Sequence, residues 1–326
     1  MNSKHIVIVS PALSDANNGN WQTAKRWAGL LGKHYRTRIV NAWPGDSAQS
    51  ALDSILLALH ARRSAASVTQ WHAQRGQTGL VVVLTGTDLY RDIHTDAQAQ
   101  HALDAASALI VLQPLGLNEL QPHHRAKAHV VLQSTKTRKT LPKAAHHLRA
   151  VMVGHLRDEK SPQTLFAAAR LLQAREDIFI DHIGAGLDPQ LAQDALDTAA
   201  MCANYTWAGA LKHTQTRAKI QRAHVLVHTS KMEGGAHVLM EAVCSGTPVI
   251  ASDIPGNVGM LGDGYHGYFP VGDARALALL LERCKDEPGF VDHLQRQCAL
   301  RAPLFAPEAE LAALLGVIQA LRLSAL

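Results

Sequence analysis

At 326 residues the chain is about twice the length of one ordinary domain, which runs to roughly 100 to 200 residues, so two domains are expected. With 47% hydrophobic and 18% charged residues it is too apolar to be disordered, and its four widely spaced cysteines argue against both a disulfide framework and a zinc site. A formal net charge of +5, with 19 histidines uncounted, asks for an anionic partner, but scattered Lys and Arg and only 5% aromatic residues argue against nucleic acid and for a phosphorylated small molecule.

The first apolar run ends before Pro11, shorter than a signal-peptide core or a membrane span, and a cytoplasmic protein with no membrane partner is expected. Strand-length apolar runs then alternate with helical stretches. Strands are expected at 5–10, 37–42, 80–85, 108–113 and 129–133, with helices at 21–32, 47–60, 95–106 and 118–126. The polar, basic stretch 134–147, holding Lys136, Arg138, Lys139, Pro142 and Lys143, is expected to be a linker between a domain of residues 1–147 and one of 148–306. The second series has strands at 150–154, 179–184, 205–208, 225–229, 248–252 and 268–270, and helices at 162–173, 189–200, 214–222, 238–245 and 275–285. Residues 307–326 make an Ala- and Leu-rich helix opened by a proline, with Leu311, Leu314, Leu315, Ile318 and Leu321 along one face for packing. Such alternation predicts an α/β fold of two doubly wound, Rossmann-like domains.

In open α/β sheets ligands bind beyond the carboxyl ends of the strands. The most informative of those ends is HTSKMEGGAHVLME, residues 228–241. A strand stops at Thr229, a loop carries Glu233, Gly234 and Gly235, and a helix opening near His237 brings Glu241 into its first turns. Two carboxylates at this spacing are able to face one pocket. The glycine pair lets backbone approach a ligand closely, and a helix N-terminus offers N–H groups to a diphosphate.

The longer segment SKMEGGAHVLMEAVCSGTPVIASDIPGNVGML resembles the donor-binding segment of retaining GT-B glycosyltransferases, with its E-x7-E element followed by G-x-P-V-I-A-S. The resemblance implies a GT-B fold, two Rossmann-like domains facing across a cleft. It implies that Glu241 binds the ribose of a nucleotide-sugar and that Glu233 lies against the donor sugar. VGHLRDEKSP, residues 153–162, resembles the family's G-R-L-x-x-x-K-G/S segment, so Lys160 matches the lysine on the donor diphosphate. His155 stands where the family has arginine, leaving Arg157 or His155 itself to complete the cationic clamp. The same resemblance assigns donor-binding positions to Gly154, Gly184, Gly209, Gly235, Ala236, His237 and Val238.

In the first half, SDANNGNWQTAKRW is similar to the family's glycine-containing loop over donor phosphates and acceptor, implying acceptor-side roles for Asn18, Gly19 and Asn20. The charged cluster LTGTDLYRDIH would add Thr87, Asp88 and Arg91, unless it is only an N-cap and turn. No D-x-D and no H-E-x-x-H occurs, so no metal and no cofactor is expected.

TGTDLYRDI, VGHLRDEKSP, SKMEGGAHVLMEA and GDGYHGYFPVGD together resemble the selenosugar synthases of selenoneine biosynthesis. That implies transfer of a hexosyl group from a UDP-sugar, UDP-N-acetylglucosamine above all, to selenophosphate. An ordinary hydroxyl or thiol acceptor is the alternative. Selenium is a strong nucleophile without a base, and Lys25, Arg26 and Arg91 would serve a small anionic acceptor.

Overall fold

The computed structural model describes residues 4–11 and 19–323. Six parallel strands form a first sheet: β1 (His5–Val9), β2 (Arg36–Val40), β3 (Asp53–Leu59), β4 (Leu80–Leu84), β5 (Ala108–Val111) and β6 (Ala128–Val130), in the order β2-β1-β3-β4-β5-β6. The register aligns Ile8 with Leu57, Leu57 with Val81 and Val81 with Ala108. Side chains alternate across the sheet. Val7, Leu56, Val82 and Leu109 enter one core with Trp43, Val68 and Trp71. Ile6, Ile8, Ile55, Leu57, Val81 and Ile110 enter the other with Trp27 and Leu31.

This double burial explains where the sequence misled. The expected helix over 47–60 is instead a single turn at Ser47–Ser50 followed by β3, a central strand between β1 and β4. A strand buried on both faces is continuously apolar, and ILLAL has no period that distinguishes it from a buried helix. The helix that follows β3, Ala65–Arg75, was not anticipated. The expected helix at 118–126 is broken into a 3₁₀ segment, Pro114–Glu119, and a turn, Pro122–Arg125, as Pro122 requires.

A second sheet comprises β7 (Leu148–Val153), β8 (Ile178–Ile183), β9 (Tyr205–Trp207), β10 (Val225–His228), β11 (Val249–Ser252) and β12 (Tyr268–Phe269). Its order, β12-β11-β10-β7-β8-β9, is the dinucleotide-fold order 3-2-1-4-5-6, with the chain reversing direction between β7 and β10. Pro255–Leu261 and Phe290–Arg301 are additional helices. The first hides behind two glycines and an asparagine. The second buries only Phe290, Leu294 and Cys298, a stripe too narrow to stand out in a polar segment.

The chain divides into two units, Met1–Ser134 with Pro307–Leu326, and Thr135–Ala306. The division therefore falls ahead of the boundary expected at 147. The basic stretch is fastened to the second unit at several points. Arg138 N donates to Cys244 O (2.8 Å), Arg217 Nη1 to Thr135 Oγ1 (2.7 Å), and the His224 ring meets Ala144 O at 2.8 Å. Lys143 donates to Gln221 O, and burial lowers its pKa to about 8.

The C-terminal helix Pro307–Leu323 packs into the first unit through Leu314, Val317 and Ile318. Glu310, buried, receives Trp27 Nε1 at 2.6 Å, Arg26 Nε at 2.8 Å and Ser134 N at 3.0 Å. All four cysteines are buried and free. Among the described residues no single helix is long and apolar enough to cross a membrane.

Candidate active site

The strand order reverses between β7 and β10, the kind of place where ligands bind in open α/β sheets, and both family-like segments of the second unit begin at the carboxyl ends of these strands. Beyond β7 the chain passes Gly154 and His155 into a 3₁₀ turn, Asp158–Lys160, and then Ser161 at φ +45°. Beyond β10, Thr229 Oγ1 donates to Lys160 O (2.7 Å) and Lys231 N to Glu159 O (2.9 Å), fastening the two loops together. Lys160 Nζ is thereby set against Glu233 Oε1 as a hydrogen-bonded ion pair, only 16% and 13% exposed at the side chains. A methyl group on Gly256 would lie 2.0 Å from the Glu233 carbonyl oxygen, so only glycine lets the helix Pro255–Leu261 seat against the Glu233 backbone.

His228 supplies the third member. Its Nε2 lies 3.4 Å from Glu233 Oε1 and 3.2 Å from Ser230 Oγ, while Nδ1 has no partner among the described residues. Burial alone would raise the Glu233 pKa. Lys160 and His228 overcome it and hold the carboxyl well below the usual range, so Glu233 is ionised. Burial also pushes the His228 pKa down against the pull of Glu233, so the ring is neutral and carries its proton on Nε2.

His155 is not a cation either. Its Nδ1 accepts from Ala185 N at 3.0 Å, and burial, then the charges of Arg157 and Lys160, lower its pKa. Arg157 is half exposed, 4.0 Å from Glu159. Gly154 and Gly184 sit on adjacent strand ends, where a methyl on Gly184 would come within 1.9 Å of Gly154 O. Gly209, at φ +64°, accepts from Gly184 N.

Glu241 is buried in the helix His237–Val243, and its Oε1 meets His213 Nε2 at 2.6 Å and Arg217 Nη1 at 3.4 Å. Gly235, His237 and Val238 are half-buried at the entry to that helix, whereas Ala236 is buried with its N–H on Met260 Sδ. His228, His213 and Arg217 escaped the sequence reading. Arg217 alone left a signal: a cation one turn from Ile220 on the buried face of the helix His213–Arg222.

In the first unit, Asn18 lies outside the described residues. Gly19 and Asn20 open the helix Gly19–Leu31, where Gly19 O accepts from Thr23 Oγ1 at 2.8 Å. Asp88 is fully buried, and its carboxylate accepts from Ala61 N, Thr85 N and Gly86 N, each at 2.9 Å. It clamps the loops after β3 and β4 together. Thr87 Oγ1 lies 3.1 Å from His60 Nε2, and Arg91, half exposed, donates to Asp92 at 3.0 Å. Asp104, His123 and His124 are the one group of metal-capable donors among the described residues, and His124 already bonds Asp104 directly at 2.7 Å.

The profile of the family described as glycosyl transferases group 1 matches residues 133–302, more than half the chain. The protein belongs to this family. The match takes in Lys160, Glu233 and Glu241 and leaves the loops of the first unit outside it.

Solved structures extend the likeness to the whole fold of this glycosyltransferase. Sucrose-phosphate synthase from Thermosynechococcus elongatus is 18% identical with a TM-score of 0.77, over 98% of this chain and 100% of that one. Anabaena HepE, solved with UDP and glucose, is 15% identical with a TM-score of 0.72, over 98% and 100%. The pneumococcal O-GlcNAc transferase GtfA, solved with UDP and GlcNAc, is 18% identical with a TM-score of 0.68 over 84% of this chain. This chain spans only 58% of GtfA. No curated protein matches it. The two parallel six-stranded sheets with flanking helices are those of the GT-B glycosyltransferases.

Proposed function

We propose that this glycosyltransferase moves a hexosyl group, N-acetylglucosaminyl first among candidates, from its UDP-sugar to selenophosphate. The observation that carries the donor half is the Lys160 ammonium held against ionised Glu233 at the strand-order reversal of the second unit. There the ammonium meets the negative charge that grows on the β-phosphate as the bond from C1 to oxygen breaks. A fixed donor of this kind typically contributes about 10²- to 10³-fold in rate. Arg157 is the second cation, since His155 is neutral and offers a hydrogen bond only. Glu241, steadied by His213 and Arg217, takes the ribose hydroxyls, and Glu233 takes a sugar hydroxyl as well as Lys160. UDP in the HepE and GtfA structures supports uridine as the donor nucleoside.

The acceptor half is supported by the combination of TGTDLYRDI, VGHLRDEKSP and SKMEGGAHVLMEA, which resembles selenosugar synthases. The selenium lone pair attacks C1 as UDP departs with the C1–O electron pair. Water then attacks phosphorus and the Se–P bond breaks, giving a 1-selenosugar and phosphate. No base on the protein is required for the attack.

Mass spectrometry of products formed from UDP-N-acetylglucosamine, with and without selenophosphate, tests the proposal. A selenium-containing hexosamine, formed with one UDP and one phosphate, is expected only when selenophosphate is present. Transfer to an added hydroxyl or thiol compound, with selenophosphate inert, would replace this acceptor by an ordinary one.

A further inference from the structure

Two uncommon backbone conformations lie on neighbouring strands of the first unit. His60 follows β3 directly and has φ +71°, the left-handed region that side chains other than glycine seldom occupy. β4, hydrogen-bonded to β3, runs into a π-helical turn at Asp88–Asp92, a geometry found mostly as isolated turns at functional sites. Besides the bond from Ala61 N to Asp88, a hydrogen bond between two side chains links the segments, His60 Nε2 to Thr87 Oγ1 at 3.1 Å.

The surroundings fix the direction of that bond. Arg63 N–H approaches His60 Nδ1 at 3.4 Å, which makes Nδ1 the acceptor and leaves the ring proton on Nε2. Burial keeps the ring neutral, opposed by Asp88. The carboxylates facing it, Asp88 and Asp92, each lie 3.9 Å away. Asp88 accepts from three backbone amides and Asp92 Oδ1 from Arg91, and at 3.9 Å neither carboxylate is within hydrogen-bonding distance of the ring. His60 therefore donates to the Thr87 oxygen, and the Thr87 hydroxyl proton is left to point elsewhere. Among the described residues nothing accepts it. Thr87 is half-buried just beyond the carboxyl end of β4, and Arg63, three residues after His60, is exposed. A histidine that merely filled the core would need neither the left-handed backbone nor this bond.

We propose that Thr87 donates its hydroxyl proton to a phosphoryl-type oxyanion, and that His60 is the positioning residue that fixes this direction. The oxyanion is the phosphoryl group of the acceptor, a point that rests on the acceptor reading above.

Phosphorus NMR titration with inorganic phosphate, alongside calorimetric titration with UDP, tests it. His60→Gly accepts the left-handed backbone while removing the ring, and Thr87→Val removes the hydroxyl while keeping its shape. Both are expected to weaken phosphate binding about tenfold, as loss of a hydrogen bond to a charged group does, with UDP affinity unchanged. Thr87→Ser should retain phosphate binding. Equal phosphate affinity in all variants, or no phosphate binding to the wild type, overturns the proposal. Loss of UDP affinity in step with phosphate affinity also overturns it, since a purely structural ring would act that way. Selenosugar formation is assayed separately: a wild type that binds phosphate through Thr87 and makes no selenosugar refutes the acceptor and leaves this site standing.

Discussion

Replacing Glu233 by Gln separates two jobs that a carboxylate at this place could do. The change is nearly isosteric, removes one charge and leaves the Lys160 ammonium without its counter-ion. If Glu233 acts chiefly by setting Lys160, a freed ammonium would still find the diphosphate. UDP would then bind as well as before or a few-fold tighter, while turnover falls about 10²- to 10³-fold because the cation is no longer held where charge develops; that range corresponds to about 2.7–4 kcal/mol of barrier. Lys160→Ala should do the opposite to binding, weakening UDP roughly tenfold or more by loss of a charge-assisted contact. Calorimetric UDP titration and single-turnover UDP release read the two effects independently. The pH dependence is also fixed in sign. Glu233 titrates well below its unfolded value, so its stabilising contribution is complete above the ordinary carboxylate range and is lost as pH falls through the folded value. From pH 6 to 9 this carboxyl should leave no inflection in turnover. Wild-type turnover in Glu233→Gln, or UDP binding weakened as much as in Lys160→Ala, would refute the reasoning.

Four further outcomes are expected. Glu241→Ala should raise the donor KM or abolish turnover, because it takes the carboxylate from buried Arg217 as well as removing the proposed ribose contact; unchanged kinetics with the UDP-sugar would remove Glu241 from the site. Glu310→Gln should destabilise the first unit by about 3–5 kcal/mol, the cost of breaking a buried pair, seen as an earlier transition in calorimetry, and an unmoved transition would contradict that role. Lys143→Met should raise stability at pH 7: the lysine titrates near 8 when folded, so its penalty is present below that pH and fades as pH rises toward its unfolded value, and a stability gain that persists at pH 11 would be at odds with this origin. Dialysis against EDTA should leave turnover intact, and a loss restored by added metal would direct attention to Asp104, His123 and His124.

How much of this was legible before folding depended on the range of each interaction. Lys160, Glu233 and Glu241 sit in segments whose local pattern of strand, glycine loop and helix exposes them, and those segments follow the strands at which the order of the second sheet reverses. β3 was not legible, since burial on both faces erased its period. Nor was His60, which looked like the end of a helix until β3 put it at a strand terminus. Asp88 was visible, but its partners were not. A carboxylate after a buried strand is equally suited to a ligand or to three backbone amides, and only the return of the chain at Ala61 decides between them.

The polar core of the first unit was the least accessible of all, for a reason that bears on how the fold closes. Glu310 is separated by 176 residues from Ser134 and by 284 from Arg26. No window of sequence contains that triangle, and in the apolar pattern of the last helix Glu310 reads as an exposed charge. Yet burying an unpaired carboxylate there would be prohibitive. The helix therefore docks only where the Trp27 indole, the Arg26 guanidinium and the Ser134 amide are already in place. Ser134 is the last residue of the first unit before the chain enters the second, and Pro307 the first after it returns. One buried carboxylate thus ties both crossings of the chain to the first helix, and it makes docking of the C-terminal helix conditional on an already ordered first unit. Truncation before Pro307 should consequently unfold the first unit and spare the second; a truncated protein whose first unit keeps its melting transition would show that apolar contact alone holds the helix.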